Sequence, residues 1–331
     1  MKYQITNYQS KLTLNETQIA IKLVKDTFQK ALSAKLHLLR VSAPLFVEPS
    51  TGLNDNLTGV EKPVSFKYQQ YDLEIVHSLA KWKRYALNKY QLFSNQGLYT
   101  DMNAIRPFEE LDNLHSIYVD QWDWEKPISK ENHNVEYLKE VVKLIYQAFL
   151  ETIEVVSNKF PVLKKTLPQD VTFLTSTELE KMYPNLSRKE RENEICKIHQ
   201  AIFLMEIGWP LKDGKPHDER AADYDDWNLN GDLLLWYEPL STAFELSSMG
   251  IRVDKDSLMK QLKYKNELAK VNLLYHQMVL NEELPLSIGG GIGQSRLCMF
   301  ILEKAHIGEV QSSFWDEAEI EQAKKNNINL L

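Results

Sequence analysis

The sequence predicts an α+β fold in which helices flank an antiparallel β-sheet. Strand-like segments occur in two runs, at 66–76, 98–106 and 115–125 and then at 231–237 and 242–253. A helical insertion around 134–205 separates the two runs. Strands that follow one another, with the helices segregated from them, are typical of an antiparallel sheet and not of alternating β-α-β units.

Composition narrows the class of protein. The length of 331 residues suits one large domain or two tightly joined ones, and we expect a single domain, residues 1–331. The chain carries 39 basic against 46 acidic side chains, a net charge of −7. Acidic proteins are seldom dedicated nucleic-acid binders. No apolar run is long enough to cross a bilayer, and residues 1–4 do not resemble the start of a signal peptide. Two cysteines, Cys196 and Cys298, favour reduced thiols, so we expect a cytoplasmic location.

Local patterns predict the elements in order. Thr13-x-x-Glu16 has capping-box spacing and begins a periodic apolar segment, which predicts a helix at 14–34. Residues 38–41 suit a strand, and 49–59 has the composition of a loop.

The insertion begins with a strongly amphipathic helix at 134–158. We expect two further helices within 176–205, separated near Pro184, the second capped by Ser187.

Four glycines form the most informative segment: Gly289, Gly290, Gly291 and Gly293. Bare backbone there lets another group approach closely, and Arg296 would stand at the head of the buried helix that follows. Such a place suits a flat or anionic ligand such as a nucleotide. The alternative is an ordinary glycine-rich turn before a core helix. The spacings of a Rossmann loop and of a P-loop are both absent.

Alternation along 115–125 places Gln121 and Asp123 on one face of a strand. The preceding strand ends at Arg106, so a hairpin would set Arg106 across from those two side chains. The alternative is a solvated cross-strand pair.

Acidic residues recur later, at Asp225, Asp232 and Glu245, and hard oxygen ligands near an anion-binding loop suit Mg²⁺ shared with phosphates. For 223–226 alone, an acidic surface loop is the better prediction. No histidine spacing suggests zinc.

Lys81 and Lys83 would by default be surface charges. Their i, i+2 spacing means that they cannot share one face of a helix, so one of them can point inward.

These segments together resemble the bacterial ammonia-dependent asparagine synthetases, the aspartate–ammonia ligases, over essentially the whole chain. The matching stretches are 54–59, 76–84, 114–116, 121–125, 223–227, 230–232, 244–253 and 289–297. That family is similar to the catalytic core of class II aminoacyl-tRNA synthetases, which is usually a homodimer. On this comparison Pro44, Arg106 and Arg296 fall in the first, second and third motifs.

Two departures from the synthetase pattern stand out. Glu109 lies one residue further from Arg106 than the usual acid of the second motif, which leaves its role open, and Ser295 replaces the acid before Arg296. No residues are left over for an anticodon-binding domain, so we expect no nucleic-acid partner.

The resemblance implies ATP-dependent conversion of L-aspartate and ammonia to L-asparagine through a β-aspartyl-adenylate. It implies that Arg106 bridges the α-phosphate and the reacting carboxylate, and that Arg296 meets the ATP base or its terminal phosphates. Asp232 and Glu245, with Asp225 as a further candidate, would hold Mg²⁺. The glycines would pack against the nucleotide.

The resemblance also implies how aspartate is held. Lys83, with Ser78, would bind the α-carboxylate, while Asp55, Gln121 and Asp123 would take the α-ammonium group. Further substrate contacts would come from Ser247, Ser248 and Arg252.

Lys2 occupies the place where glutamine-using enzymes carry a nucleophilic cysteine, so the expected nitrogen donor is free ammonia. The alternatives are a tRNA-related enzyme and a non-catalytic paralogue that binds aspartate or asparagine.

Overall fold

A computed structural model describes residues 5, 8–55, 57, 61–93 and 95–331. The expectations for residues 1–4 and for Asn56, Thr58 and Gly59 of the predicted loop lie outside these residues. Within them the α-helices are α1 (Leu14–Leu36), α2 (Ala80–Lys89), α3 (Val135–Lys159), α4 (Ser176–Met182), α5 (Arg188–His199), α6 (Lys255–Tyr264), α7 (Leu274–Leu280), α8 (Gln294–Ile301) and α9 (Glu317–Lys325).

The strands form one large and one small sheet. In chain order they are β1 (Leu38–Arg40), β2 (Phe46–Val47), β3 (Ser65–Tyr68), β4 (Tyr71–Ile75), β5 (Gly97–Ile105), β6 (Tyr118–Pro127), β7 (Thr172–Thr175), β8 (Ala201–Met205), β9 (Asp225–Tyr237), β10 (Thr242–Arg252) and β11 (Ser287–Gly293). The large sheet has the order β1-β5-β6-β11-β10-β9-β8-β7, and the small one β2-β4-β3. All pairs in the large sheet are antiparallel except the outermost pairs, β1–β5 and β7–β8, so the predicted α+β fold is confirmed.

The two faces of the large sheet have different covers. On one face α1, α3 and α8 pack over an apolar core, in which the Phe28 and Trp122 rings lie 5.0 Å apart. The period of two along β6 turns Trp122 and Trp124 toward this core. Gln121 and Asp123 therefore face the other side, where α2 covers the sheet.

Local signals placed several helices correctly. Thr13 and Glu16 form the expected capping box at the start of α1, and Ser187 caps α5 in the same way with Glu190. Such caps satisfy backbone N–H groups that have no partner within the helix, so they mark helix starts from sequence alone.

The predicted helical insertion is not purely helical, since it contains β7 and β8, which extend the large sheet at one edge. The run Ala201–Met205 is apolar and fully buried. A short continuous apolar run does not distinguish a buried strand from a buried helix, which explains the difference.

Two further expectations concern the state of the cysteines and the absence of a membrane-spanning helix. Cys196 and Cys298 are both free and buried. Among the helices in the described part of the chain, none is long and apolar enough to cross a bilayer.

Candidate active site

A cavity of about 310 Å³ lies between the large sheet and α2. Its walls come from β6, β10 and β11, from the start of α2, and from the segments around Asp55 and Tyr224. The predicted site residues that line it are Asp55, Ser78, Lys83, Arg106, Gln121, Asp123, Asp225, Glu245, Ser247, Ser248, Arg252, Gly290, Gly291, Gly293 and Arg296. Gly289 and Asp232 are not among the residues that line it.

Lys83 points into the protein and not to solvent, with only 1% of its surface exposed. Its Nζ donates to the carbonyl oxygen of Gly290 at 2.8 Å and lies 3.5 Å from Asp123 Oδ2. Burial lowers the pKa of Lys83, and the neighbouring Asp123 carboxylate partly opposes this shift. An ammonium group has three donors, so one remains for a ligand carboxylate. Since Lys81 is also buried, the surface interpretation is wrong for both lysines.

Asp55 also lines the cavity. Its Oδ2 accepts from the Ser78 hydroxyl at 2.9 Å, and its Oδ1 accepts from the backbone N–H of Leu57 at 3.0 Å. Asn54 fixes the segment, because its Oδ1 accepts from the backbone N–H groups of Asp55 and His77. Burial raises the pKa of Asp55. A carboxylate with spare lone pairs in a cavity suits a cationic ligand group.

The hairpin formed by β5 and β6 has a different register from the one expected. The backbone N–H of Arg106 donates to Ile117 at 2.8 Å, so Arg106 lies opposite Ile117 and not opposite Gln121 or Asp123. The expected cross-strand position is therefore wrong. The connection between the strands is longer than predicted, since β6 begins only at Tyr118. Arg106 still reaches the same cavity as Gln121 and Asp123.

The two motif arginines lie on the more open side of the cavity. One guanidinium nitrogen of Arg106 donates to the backbone oxygen of His77 at 3.2 Å, and its buried Nε has no hydrogen-bond partner in the described part of the chain. Arg296 donates to the backbone oxygen of Glu245 at 3.1 Å and lies 3.4 Å from its carboxylate, while Nη2 is 3.1 Å from His115 Nε2. Both arginines retain donors that can bind an anion.

Arg252 is held entirely by protein carboxylates. Its Nε and Nη2 donate to Glu125 at 2.7–3.1 Å, and its Nη1 pairs with Asp225 Oδ1. Ser287 donates to the same Glu125 at 2.7 Å. The second oxygen of Asp225 accepts from Arg220 at 3.2 Å. These contacts favour a charge-pairing role for Arg252 and Asp225 over direct binding of substrate or metal.

The four glycines belong to a strand, β11, and not to a turn. A side chain at Gly289 would collide with the Glu125 carboxylate, and one at Gly291 would collide with Gln121. The Ser247 hydroxyl donates to the backbone oxygen of Gly291 at 3.0 Å. The bare backbone therefore makes room for the polar side chains of β6, and these side chains form the floor of the cavity.

Arg220 is a cavity residue that the sequence patterns did not indicate. It donates to Ser248 at 2.8 Å, Asp225 at 3.2 Å and Asp218 at 3.3 Å. Its only local signal is an isolated positive charge shortly before the acidic run at 223–226, a run that is itself buried and not a surface loop.

A pair of carboxylates from β9 and β10 fits a divalent cation shared with phosphates. Asp232 Oδ1 is buried and lacks a hydrogen-bond partner among the described residues. Burial, and then the charge of Glu245, holds the pKa of Asp232 well above its usual range. No group of three or more His, Cys, Asp or Glu side chains in the described ranges is placed to hold a metal alone. Mg²⁺ commonly uses one or two carboxylates plus substrate phosphates, so the pair fits that ion.

The sheet and the arginine-containing cavity define the class: the fold is that of a class II aminoacyl-tRNA synthetase catalytic domain. The structure is similar to asparaginyl-tRNA synthetase from Pyrococcus horikoshii complexed with asparaginyl-adenylate, with TM-score 0.68 and 16% identity over 89% of this chain and 68% of that one. It also resembles aspartyl-tRNA synthetase from Entamoeba histolytica, with TM-score 0.56 and 15% identity over 89% and 58% of the two chains.

Sequence comparison identifies the family. The profile of the family described as aspartate-ammonia ligase matches residues 15–327. Aspartate–ammonia ligases of Clostridium perfringens strain SM101 and of Fusobacterium nucleatum are 56% and 57% identical to this chain, each over 98% of it and over 98% and 99% of their own lengths. The chain belongs to the aspartate–ammonia ligase family.

Proposed function

We propose that this protein converts L-aspartate, ATP and ammonia to L-asparagine, AMP and diphosphate through a β-aspartyl-adenylate, in the cytoplasm. The observation that carries the proposal is the division of one cavity into two kinds of site. Lys83 and Asp55 provide fixed, opposite charges that suit the α-carboxylate and α-ammonium groups of an amino acid. Arg106 and Arg296 provide the donors that suit phosphate groups beside it.

At the amino-acid end, Lys83 binds the α-carboxylate with its remaining N–H donor, and Ser78 supports it. Asp55 and Asp123, together with Gln121, accept hydrogen bonds from the α-ammonium group. A site that pairs each charge leaves buried groups unpaired when an analogue lacks one of them, and so rejects that analogue.

Further contacts to the substrate come from Ser247 and Ser248, which lie on β10 beside the cavity. Arg252 acts through the residues that it holds in place.

At the reacting carboxylate, Arg106 stabilises the charge that develops as two anions meet. An oxygen of the β-carboxylate attacks the α-phosphorus, and the bond to diphosphate breaks. Ammonia then attacks the β-carbonyl carbon, the carbon–oxygen bond to AMP breaks, and the nitrogen loses a proton. Arg296 binds the ATP base or its terminal phosphates, and Gly290, Gly291 and Gly293 border the space for the nucleotide.

Asp232 and Glu245 would hold Mg²⁺ together with the phosphates of ATP. The ion supplies positive charge that offsets the charge of the triphosphate. Asp225 is a less suitable ligand, since both of its oxygens already accept from guanidinium groups.

We propose further that residues 1–331 form one catalytic domain, with 134–205 as an insertion, and that the protein is a homodimer. Leu39 and Leu45, which flank the first-motif proline, are 46% and 50% exposed, and apolar side chains of this kind suit a subunit interface. Light scattering on the wild type and on Leu39→Asp with Leu45→Asp tests the dimer. A monomeric wild type contradicts it.

The reaction is tested with aspartate labelled with ¹⁸O in the β-carboxylate. An adenylate transfers one labelled oxygen to AMP, and mass spectrometry should find it there in a one-to-one ratio with asparagine. Formation of ADP and phosphate, or of unlabelled AMP, contradicts the mechanism. Glutamine should not replace ammonium as nitrogen donor, and asparagine should form without any RNA.

A further inference from the structure

Three buried ionisable side chains lie beside the cavity and take no part in the steps described above. Lys81, Asp223 and His276 are exposed by only 4%, 1% and 0%. Asp223 Oδ2 accepts from Lys81 Nζ at 3.1 Å and lies 3.0 Å from His276 Nε2. None of the three lines the cavity, so they do not touch the substrate. Burying such charges is costly unless they are paired, so their presence calls for a role.

The cluster joins segments that form the cavity wall. Lys81 lies on α2, two residues before Lys83. Asp223 directly precedes Tyr224, which lines the cavity. His276 lies on α7, which contacts the turn Pro49–Thr51 that precedes Asp55 in the chain. A salt bridge with one partner on each of two wall segments holds those segments in a fixed relation.

The same cluster lies under the loop that carries Asp55. A side chain at Gly52, in that loop, would come within 3.5 Å of His276 Nδ1. The cation of Lys81 favours ionisation of Asp55, whereas the nearby anion of Asp223 opposes it. The two members of the salt bridge therefore act on Asp55 in opposite directions.

Lys83, Arg106, Asp123 and Tyr224 line the same cavity as Asp55, and His77 also lies near Asp55. Burial lowers the pKa of His77 and raises that of Tyr224, so both side chains stay neutral near pH 7. Among the charged side chains, Lys81 and Asp223 act most strongly on the ionisation of Asp55.

We propose that Lys81 and Asp223, braced by His276, are positioning residues that set the charge of Asp55 and thereby the binding of the substrate ammonium group. The inference rests on the proposed function, which assigns that ammonium group to Asp55. Ionised Asp55 binds the ammonium group and protonated Asp55 does not. Aspartate binding is therefore lost as the pH falls through the pKa of Asp55.

The test is the pH dependence of kcat/KM for aspartate at saturating Mg²⁺-ATP in the full-length enzyme. Lys81→Met removes the favourable charge, so the acid limb should move to higher pH. A displacement of about one pH unit corresponds to about tenfold lower kcat/KM on that limb. Asp223→Asn removes the opposing charge, so the acid limb should move to lower pH. Both changes should appear in KM for aspartate and not in KM for ATP.

Two controls separate charge from packing. Lys81→Arg keeps the positive charge and should restore the acid limb of the wild type. Lys304→Met removes another buried lysine, whose Nζ donates to Ser10 and Thr17, and should leave the limb in place. A merely structural role for the cluster predicts lower kcat/KM at every pH, with an unmoved limb in both Lys81→Met and Asp223→Asn. That result, or limbs that move in the same direction, overturns the inference.

Asp223→Asn is nearly isosteric, so it decides alone if Lys81→Met does not fold: a limb at lower pH supports the inference, and an unmoved limb overturns it. A wild type that makes no asparagine would remove the proposed function and this inference with it. An active wild type whose variants keep the original limb removes only this inference.

Discussion

The two ends of the cavity differ in how completely the protein itself pairs their charges. At the end that we propose binds the amino acid, the amino-acid end, Lys83, Asp123 and Asp55 are at most 2% exposed and all have protein partners. At the end that we propose binds the nucleotide, the nucleotide end, the side chains of Arg296 and Glu245 are 23% and 45% exposed. The charged groups at the first end are already paired within the protein before any ligand binds. Those at the second end remain partly free to pair with phosphates and a cation.

The difference has a physical reason. Aspartate is small, so selectivity requires that every charge meets a fixed partner. ATP is large and polyanionic and brings its own metal ion, so groups that stay partly free can be paired on binding. Changes at the amino-acid end should therefore affect aspartate binding or folding, and changes at the nucleotide end should affect ATP and Mg²⁺.

The largest expected effect lies where the two ends meet, at Arg106. Arg106→Ala removes donors aimed at the reacting groups and should lower kcat/KM by about 1,000-fold, as the loss of a donor to developing charge does elsewhere. Steady-state asparagine formation measures it. Arg188→Ala, which removes an arginine that is paired with Asp213 and does not line the cavity, should stay within twofold. Loss of less than tenfold in Arg106→Ala would exclude a direct role.

Lys83→Met should weaken aspartate binding by about 100-fold, because truncating one partner of a buried charge pair costs several kcal/mol. Affinity for ATP should change less than twofold. Isothermal titration calorimetry measures both. Lys67→Met, at an exposed pair with Asp72, serves as the control. Unchanged affinity for aspartate in Lys83→Met would remove Lys83 from the amino-acid end.

The charge of Lys83 should also make aspartate binding depend on pH. Burial lowers the pKa of Lys83, so its charge is present at low pH and is lost as the pH rises through that pKa. Aspartate binding should therefore weaken on the alkaline side at a pH below the ordinary lysine range, and this dependence should be absent in Lys83→Met.

Packing should also differ between two positions on β11, Gly289 and Gly293. Gly289→Ala places a methyl group against Glu125 and Arg252, and overpacking of this kind costs about 1–3 kcal/mol of unfolding free energy. Gly293→Ala meets the flexible side chain of Arg296 at 3.1 Å and should cost less. Chemical denaturation measures both. Equal losses would mean that the protein is packed as tightly around Gly293 as around Gly289.

The smallest expected effect is at Glu245. Glu245→Gln should raise the Mg²⁺ concentration for half-maximal activity by about tenfold, which is about 1.4 kcal/mol, and leave KM for aspartate unchanged. Glu282→Gln, at an exposed pair with Lys255, is the matched control. An altered KM for aspartate without any change in Mg²⁺ dependence would move Glu245 to the other end of the cavity.

Helix starts were predictable because their signals are local. Thr13 and Glu16 satisfy backbone groups within one turn, so the capping box needs no information from the rest of the chain. Register was not predictable in the same way. Arg106 was expected opposite Gln121, but the length of the connection placed it opposite Ile117. The register of a hairpin depends on the length and geometry of its turn as well as on the hydrophobic pattern of its strands.

The candidate site likewise contains residues that the sequence predicted and residues that it did not. The motif arginines and the glycines were identified from the sequence, but the burial of Lys81 and Lys83 was not, since charged residues are buried only where distant partners meet them. Arg220 belongs to no recognisable motif. Asp218 precedes it by two residues, but Ser248 follows it by 28 residues, so only the folded chain brings the three side chains together.

The order of residues along the chain determined which side chains exist, where most helices begin and to which family the protein belongs, because caps, periodicity and motifs are properties of neighbouring residues. Only the folded chain decided that β11 carries the glycines and that Arg252 serves Glu125 and Asp225. It also decided that Lys81 meets Asp223. Each of these outcomes depends on groups brought together from remote positions, where burial makes an unpaired charge too costly to leave alone.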